Sequence, residues 1–305
     1  MSTATVRVPA KINLALGVGP RRPDGFHPLA TVYHAIDLCD EVRAIATDDG
    51  EVRLSVHADV DARGEVASVP DGEDNLAVRA ARLLQRHGEV EAGVDLALRK
   101  VIPVAGGMAG GSADAAAALV ACNEVWGLGL SRSDLESFAA QLGSDVPFLL
   151  HGGTAIGTGR GEAISPVLAR GSYHWVCAIS AEGLSTPSVF AEFDRLNAGL
   201  VVPEPQVPDA LLAALRAGDP EQLGDALEND LTAAALSLRP ELQDTLEIGL
   251  EAGALGALVS GSGPTTVFLA ADEQHGMDIA VALASAAMCA DVVQSRGPVP
   301  GARLV

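Results

Sequence analysis

The stretch Pro103-Val104-Ala105-Gly106-Gly107-Met108-Ala109-Gly110-Gly111-Ser112-Ala113-Asp114 carries the sharpest chemical signal in the chain. Its four glycines lie between a β-rich segment and an alanine-rich helical one. Glycine lets a backbone approach an anion closely and adopt positive φ. A helix start adds unpaired N–H groups and the positive end of the helix dipole. Ser112 is the expected cap, and Asp114, two residues on, is expected to be structural, its charge favouring the helix N-terminus. The pattern predicts a phosphate-binding loop over Pro103–Ser112. A Walker A loop would need Gly-Lys-Ser/Thr, and no lysine follows these glycines. The dinucleotide fingerprint needs G-x-G-x-x-G, a different spacing.

Other residues stand out by type and place. Only two of the 20 basic residues are lysines, Lys11 and Lys100. In a chain that prefers arginine, Lys11 within Pro9-Ala10-Lys11-Ile12-Asn13-Leu14 suggests a compact point charge rather than a fork. Asn13 shares its strand face, because alternate residues do. Asp145 sits in Gly143-Ser144-Asp145-Val146-Pro147, a turn that suits an exposed general base, although a turn aspartate by itself is more often a cap. Aromatics make up 3% of the chain, so adjacent Phe26 and His27 in a glycine turn are notable, as is Phe190 after Ser185-Thr186-Pro187. No His/Cys/Asp cluster has metal-ligand spacing, so no resident metal site is expected.

These groups need a scaffold, and the chain has the means to build one. It is 305 residues long and 48% hydrophobic, which suits two domains with packed cores and excludes disorder over most of its length. Its formal net charge of −20 argues against general binding of nucleic acid or anionic membrane. A phosphorylated ligand would have to be held locally, by backbone N–H groups, a metal ion or a few placed cations. No leader peptide is expected at MSTATVRVPAKINL, and no apolar run reaches the roughly 18 residues of a membrane span. Cys39, Cys122, Cys177 and Cys289 are widely spaced, which suits buried thiols in a reduced, cytoplasmic setting.

Strands are predicted at Thr5–Val8, Ile12–Val18, Leu29–Leu38, Val42–Ala46, Val52–Ala58, Val94–Ile102, Trp175–Ser180 and Val292–Gln294. Helices are predicted from an Asp74 or Asn75 cap, at Ser112–Val125, Leu135–Leu142, Ser188–Leu196 and Ile279–Met288, after the Asp219-Pro220 start signal, and along a Leu242, Leu246, Leu250 face. Thr154–Val167 reads as a hairpin or connection, and Gly256–Ala270 as strand–turn–strand. Strands and helices mix without regular βαβ alternation, so the fold class is α+β. A boundary near the hairpin divides the chain into residues 1–164 and 165–305.

Three stretches, Pro9–Leu14, Pro103–Ala117 and Ser260-Gly261-Ser262-Gly263-Pro264-Thr265, together resemble the GHMP kinase family, in the family's order. The resemblance implies a two-domain α+β fold, an N-terminal ATP-binding domain and a C-terminal domain with the active site in the cleft between them. It implies ATP with Mg2+, the ion arriving on the phosphates. It raises Asp145 from turn former to catalytic group, with Lys11 as its cationic partner. Asn75 resembles a residue near the adenine, and the reading as a helix cap stands equally beside it. Arg22-Pro23-Asp24-Gly25-Phe26-His27 and Leu142–Phe148 resemble the family branch whose alcohol acceptor is a CDP-linked methylerythritol of the non-mevalonate isoprenoid route. That implies substrate contacts from Asn13, Phe26, His27, Thr186, Phe190, Gly261, Ser262 and Gly263. Phe26 replaces the tyrosine common in that branch, which keeps the stacking face and loses a hydroxyl. Alternatives are a kinase for mevalonate or homoserine, or a catalytically silent nucleotide sensor. The expected partner is a small molecule, not nucleic acid or membrane, and a homodimer is left open.

Overall fold

The computed structural model describes residues 2–58, 69 and 72–305. Two antiparallel-rich sheets organise it. The first is built on two long strands, β1 (Thr3–Val18) and β2 (Leu29–Thr47), paired from Thr3 opposite Ile45 to Val18 opposite Leu29. Beyond β2 follow β3 (Val52–Ala58) and β4 (Gly93–Lys100), in the order β1-β2-β4-β3. The hairpin β5 (Thr154–Thr158) and β6 (Ala163–Pro166) pairs with the other end of β2. The second sheet begins with β7 (Tyr173–Ile179). Three more segments follow: β8 (Glu228–Asn229), which joins β1 of the first sheet, then β9 (Gly256–Val259) and β10 (Thr266–Ala270). With β11 (Asp291–Gly297) the second sheet has the order β11-β7-β10-β9, and the chain ends by returning β12 (Arg303–Leu304) to β1.

The two strands predicted on either side of Pro9 are one strand. Proline cannot donate to a ladder and is tolerated at a bulge. The β1–β2 register shifts between Pro9 and Ala10, and again between Asn13 and Ala15. Bulges re-aim side chains, and these two bracket Lys11 and Asn13. The local distortion therefore sits where the sequence concentrates its polar strand residues.

Four helices cover the first sheet: α1 (Leu76–His87), α2 (Gly110–Val125), α3 (Arg132–Leu142) and the short α4 (Val146–His151). Asn75 caps α1, its side chain accepting from the Ala77 N–H at 2.8 Å. Helix α2 is buried along most of its length, and Ala113, Ala115, Ala116, Ala117, Ala118 and Ala121 are fully buried. A helix this buried needs little polar face, and alanines let neighbouring backbones close in. This central helix starts two residues earlier than predicted. Its N-cap is Ala109, with left-handed φ of 59°, and Ser112 lies inside the first turn without a capping role.

The second half adds α5 (Thr186–Leu196), α6 (Asp209–Ala217) and, on the second sheet, α7 (Pro220–Asp225), α8 (Thr232–Leu238), α9 (Glu241–Glu251) and α10 (Glu273–Ala286). Helix α5 packs with α8 and the end of β1, and α6 packs with α7. Asp219 caps α7 by accepting from Glu221 and Gln222 N–H groups, with Pro220 in the first turn as predicted. Leu242 and Leu246 face the core of this half, whereas Leu250 is exposed. Among the described residues no helix is long and apolar enough to cross a membrane.

Candidate functional site

The ends of both halves meet around a cavity of about 750 Å3. Lys11 and Asn13 enter it from β1. The Lys11 ammonium donates to Asn13 Oδ1 at 2.7 Å, Asn13 Nδ2 donates to Thr31 Oγ1 at 2.7 Å, and Thr31 Oγ1 donates to the Ala15 carbonyl at 2.7 Å. All three side chains are buried, so the chain of bonds fixes their orientation. Lys11 Nζ lies 3.9 Å from Asp145 Oδ2. Burial lowers the Lys11 pKa, and the Asp145 charge opposes that effect.

Asp145 occupies the N-cap position of α4, yet its side chain makes no capping bond. The carboxylate is 30% exposed and faces the cavity. The bland role of a turn aspartate is thus left unfilled. Tyr33 backs the pair. It is buried, stacks on Phe148 with centroids 4.9 Å apart, and its pKa is raised by burial first and by the Asp145 charge second.

The glycine loop adjoins this pair, and the Lys11 N–H donates to the Met108 carbonyl at 3.3 Å. Ala105, Gly106, Gly107, Ala109, Gly110, Gly111 and Ser112 line the cavity, whereas Met108 is buried in the core. Positive φ falls at Ala105, Gly107 and Ala109, so the left-handed turns are shared between alanine and glycine. The glycines have separate reasons to be glycine. A Cβ at Gly107 would sit 2.2 Å from the Ser260 carbonyl, and one at Gly110 would sit 2.8 Å from Lys100 Nζ. A Cβ at Gly111 would meet only Leu76, at 3.8 Å, and would otherwise project into open space.

The third motif seals the loop from the other half. Ser260 Oγ donates to the Gly107 carbonyl at 3.2 Å, and the Thr265 N–H donates to the Gly106 carbonyl at 3.3 Å. Gly261 has φ of 59°, and a Cβ there would stand 3.2 Å from both Lys11 Nζ and Asn13 Oδ1. Ser262 and Thr186 share a hydroxyl–hydroxyl bond of 2.8 Å, which joins this loop to the start of α5.

At the far end are the aromatics. His27 is buried and stacks on Phe190, with centroids 5.1 Å apart and planes 26° apart. Phe26 is half-exposed and is covered by the Arg160 guanidinium, whose Cζ lies 3.8 Å from the ring centroid. Arg160 also pairs with Asp24 at 3.5 Å. Phe26 and Phe190 thus line one cavity while each packs against a different side chain.

Of the predicted residues, Lys11, Asn13, Phe26, His27, Asp145, Thr186, Phe190, Gly261 and Ser262 line this cavity, with the loop residues named above. Pro103, Val104, Met108, Asn75 and Gly263 do not, although Leu76 beside Asn75 does. Tyr33, Arg21, Arg160 and Asp194 also line it and are not singled out by the sequence: Arg21 and Asp194 adjoin the Phe26–His27 and Phe190 segments, whereas Tyr33 and Arg160 come from β2 and the β5–β6 turn. The cavity's cations are Lys11, Arg21 and Arg160, against the carboxylates of Asp145 and Asp194. A strongly acidic chain therefore keeps a locally cationic pocket.

The second lysine has its own place. Lys100 Nζ donates to Asp40 and, at 3.0 Å, to Asp114, all three being buried. Asp40 Oδ1 also accepts from the N–H groups of Val101 at 2.6 Å and Ile102 at 2.8 Å. The cluster pins the strand end beneath the glycine loop to the second turn of α2. Burial, reinforced by Asp40 and opposed by Lys100, pushes the Asp114 pKa up to about 8. Asp114 is structural, as expected, but through this cluster and not as a charge on the helix dipole.

Comparison with known proteins completes the description. The profile of the GHMP kinases N terminal domain matches residues 75–153, and that of the GHMP kinases C terminal domain matches residues 211–288. The chain is 56% identical to a 4-diphosphocytidyl-2-C-methyl-D-erythritol kinase of Thermobifida fusca, over 100% of this chain and 99% of that protein. It is also 56% identical to the protein of the same name in Salinispora arenicola, over 98% and 93%. A crystal structure of 4-(cytidine 5'-diphospho)-2C-methyl-D-erythritol kinase shares 32% identity and superposes with a TM-score of 0.73, covering 95% of this chain and 98% of that one. The homoserine kinase of Cytophaga hutchinsonii superposes with a TM-score of 0.75 at 21% identity, covering 100% and 98%, a likeness of fold alone.

Proposed function

The chain belongs to the GHMP kinases, and from that premise we propose that it transfers the γ-phosphoryl group of ATP to the 2-hydroxyl of 4-diphosphocytidyl-2-C-methyl-D-erythritol. One observation carries the reading. A single cavity brings the Lys11–Asp145 pair together with the glycine loop and with Phe26, His27 and Phe190. Relatives named for this reaction match the chain from end to end, which supports the choice of substrate.

In this reading the loop's backbone N–H groups hold the ATP phosphates, and Lys11 faces the transferring group. Asp145 takes the hydroxyl proton as the new O–P bond forms and the bond between the β- and γ-phosphates breaks, releasing ADP. Magnesium would supply further neutralisation of the phosphate charge. Ser112, which lines the cavity in the first turn of α2, would offer the ion an oxygen beside the phosphates. Phe26, His27 and Phe190 receive the cytosine.

The ATP half has a clean test. Gly111→Val places bulk in open space rather than against the protein, so the fold is expected to survive while ATP binding weakens. Unchanged ATP affinity by calorimetry in a folded variant would place the phosphates elsewhere.

The substrate half is tested by a coupled kinase assay over a panel of alcohols, including the CDP-linked compound, mevalonate and homoserine. Only the first is expected to turn over efficiently. Truncating a ring that stacks on a base costs about 1–3 kcal/mol. Phe26→Ala is therefore expected to raise KM for the cytidyl substrate roughly 5- to 150-fold and to leave KM for ATP nearly unchanged. A variant that instead loses ATP affinity would shift the base to the other end of the cavity and restore mevalonate or homoserine as candidates.

A further inference from the structure

Phe190 and Asp194 lie one turn apart on α5, and both meet the imidazole of His27. Phe190 stacks on its face, and Phe193 presents an edge at 6.0 Å. His27 Nε2 stands 2.9 Å from Asp194 Oδ1. The other Asp194 oxygen is 3.5 Å from Arg21 Nη1. Two ring contacts and one hydrogen bond leave the imidazole little freedom to turn. A carboxylate accepts and does not donate, so the nitrogen facing Asp194 is the one that carries hydrogen. In the neutral ring, Nδ1 is then left as an acceptor. No hydrogen bond to Nδ1 occurs among the described residues.

We propose that Asp194 is a positioning residue that sets the base selectivity of this pocket, by holding His27 as the Nε2–H tautomer with Nδ1 free to accept from an exocyclic amine. The inference rests on the functional reading above, since it needs a nucleobase at His27. Cytosine offers an amine donor on its hydrogen-bonding edge, whereas uracil offers a carbonyl in that place. A fixed acceptor at Nδ1 pairs with the first and faces the lone pairs of the second. A site built around a hydrogen bond rejects the analogue that cannot make it, because its own polar group is left unpaired. Arg21 pairs with the oxygen of Asp194 that His27 does not use. The selectivity would then originate in a residue that need not touch the base.

The test joins kinetics to a direct view of the tautomer. The parent, Asp194→Ala and Asp194→Glu are assayed with the CDP-linked substrate, its UDP-linked analogue and ATP. In parallel, 15N spectra of histidine-labelled protein are recorded at pH 8, with His27→Gln used to assign the signal. The parent is expected to show an unprotonated Nδ1 and a protonated Nε2 at His27. In Asp194→Ala the two tautomers mix, and KM for the cytidyl substrate rises about 10- to 100-fold, as loss of a hydrogen bond to a charged partner implies. KM for the uridyl analogue and for ATP, and kcat for the cytidyl substrate, stay within a few-fold. Asp194→Glu restores part of the selectivity. A merely structural role would raise all three KM values together and leave the ratio of cytidyl to uridyl substrate unchanged, and that result overturns the proposal. A parent spectrum with Nδ1 protonated overturns it as well. A parent that turns over neither nucleotide-linked compound overturns the functional reading, whereas a parent selective for cytidine and a variant equally selective overturns only the role of Asp194.

Discussion

Asp145→Asn is expected to lower kcat by roughly 10²–10⁴-fold, the range that a positioned general base contributes. The fold should be indifferent to the change. Asp145 begins α4 without a side-chain capping bond, so no helix stabilisation is removed with the carboxylate. Asparagine keeps the volume and most of the polarity, and loses the charge and the basic oxygen. Lys11 lies 3.9 Å away and retains its bond to Asn13, so its orientation is preserved. KM for both substrates is expected to move little, because the contacts of the glycine loop and of the aromatic end are untouched. Steady-state kinetics on the purified variant decides the matter, with thermal melting to show that it is folded. Turnover within a few-fold of the parent would remove the base role and leave Asp145 as a group that orients the hydroxyl.

The polar side chains of this site divide into those that sequence position reveals and those that only folding brings in. Lys11 and Asn13 are legible because a strand puts alternate residues on one face. The glycine loop is legible because four glycines at a strand–helix junction have few other uses. What could not be read is the reason for each glycine. Gly110 makes room for Lys100, and Gly107 for the Ser260 carbonyl, contacts that join segments far apart in the chain. Asp40, Lys100 and Asp114 likewise come from β2, β4 and α2, and no local pattern unites them. The scarcity of lysine was a usable clue to Lys100, because a chain with two lysines has placed both of them in buried polar clusters.

The element pattern shows the same division. Alternation located β1 and β2 but divided each in two: Pro9 suggested a break where the chain runs through a bulge, and the polar residues around Asp40 suggested one where β2 continues from Leu29 to Thr47. Leu250 fits the helical period of Leu242 and Leu246, yet it stays half-exposed. Periodicity states which residues share a face, and the neighbours decide how wide that face is. Arg160 is the clearest case. It lies in the turn between β5 and β6, with no motif around it, and still covers the exposed face of Phe26.

Lys11→Met is expected to lower kcat by about 10²–10³-fold, the cost of removing one preorganised donor aimed at developing charge. Methionine matches the length of the stem and deletes the ammonium, so packing on β1 is conserved while Asn13 Oδ1 loses its donor and Asp145 its counter-charge. Lys11→Arg is not expected to rescue. The ammonium is confined by Asn13, by Gly261, whose Cβ would stand 3.2 Å from Nζ, and by the Tyr33 ring 5.7 Å away. A planar guanidinium is wider and cannot occupy that point. The pH profile separates charge from shape. Burial lowers the Lys11 pKa, with Asp145 only partly opposing it, so the proton leaves at a lower pH than from a solvated lysine. If the protonated form is the active one, kcat of the parent falls on the alkaline side through that lowered pKa. Lys11→Met has no such proton to lose, and its residual rate should lack that limb. A methionine variant with kcat within a few-fold of the parent, or with the same alkaline limb, would show that Lys11 only supports Asn13 and that the phosphoryl charge is met elsewhere in the cavity.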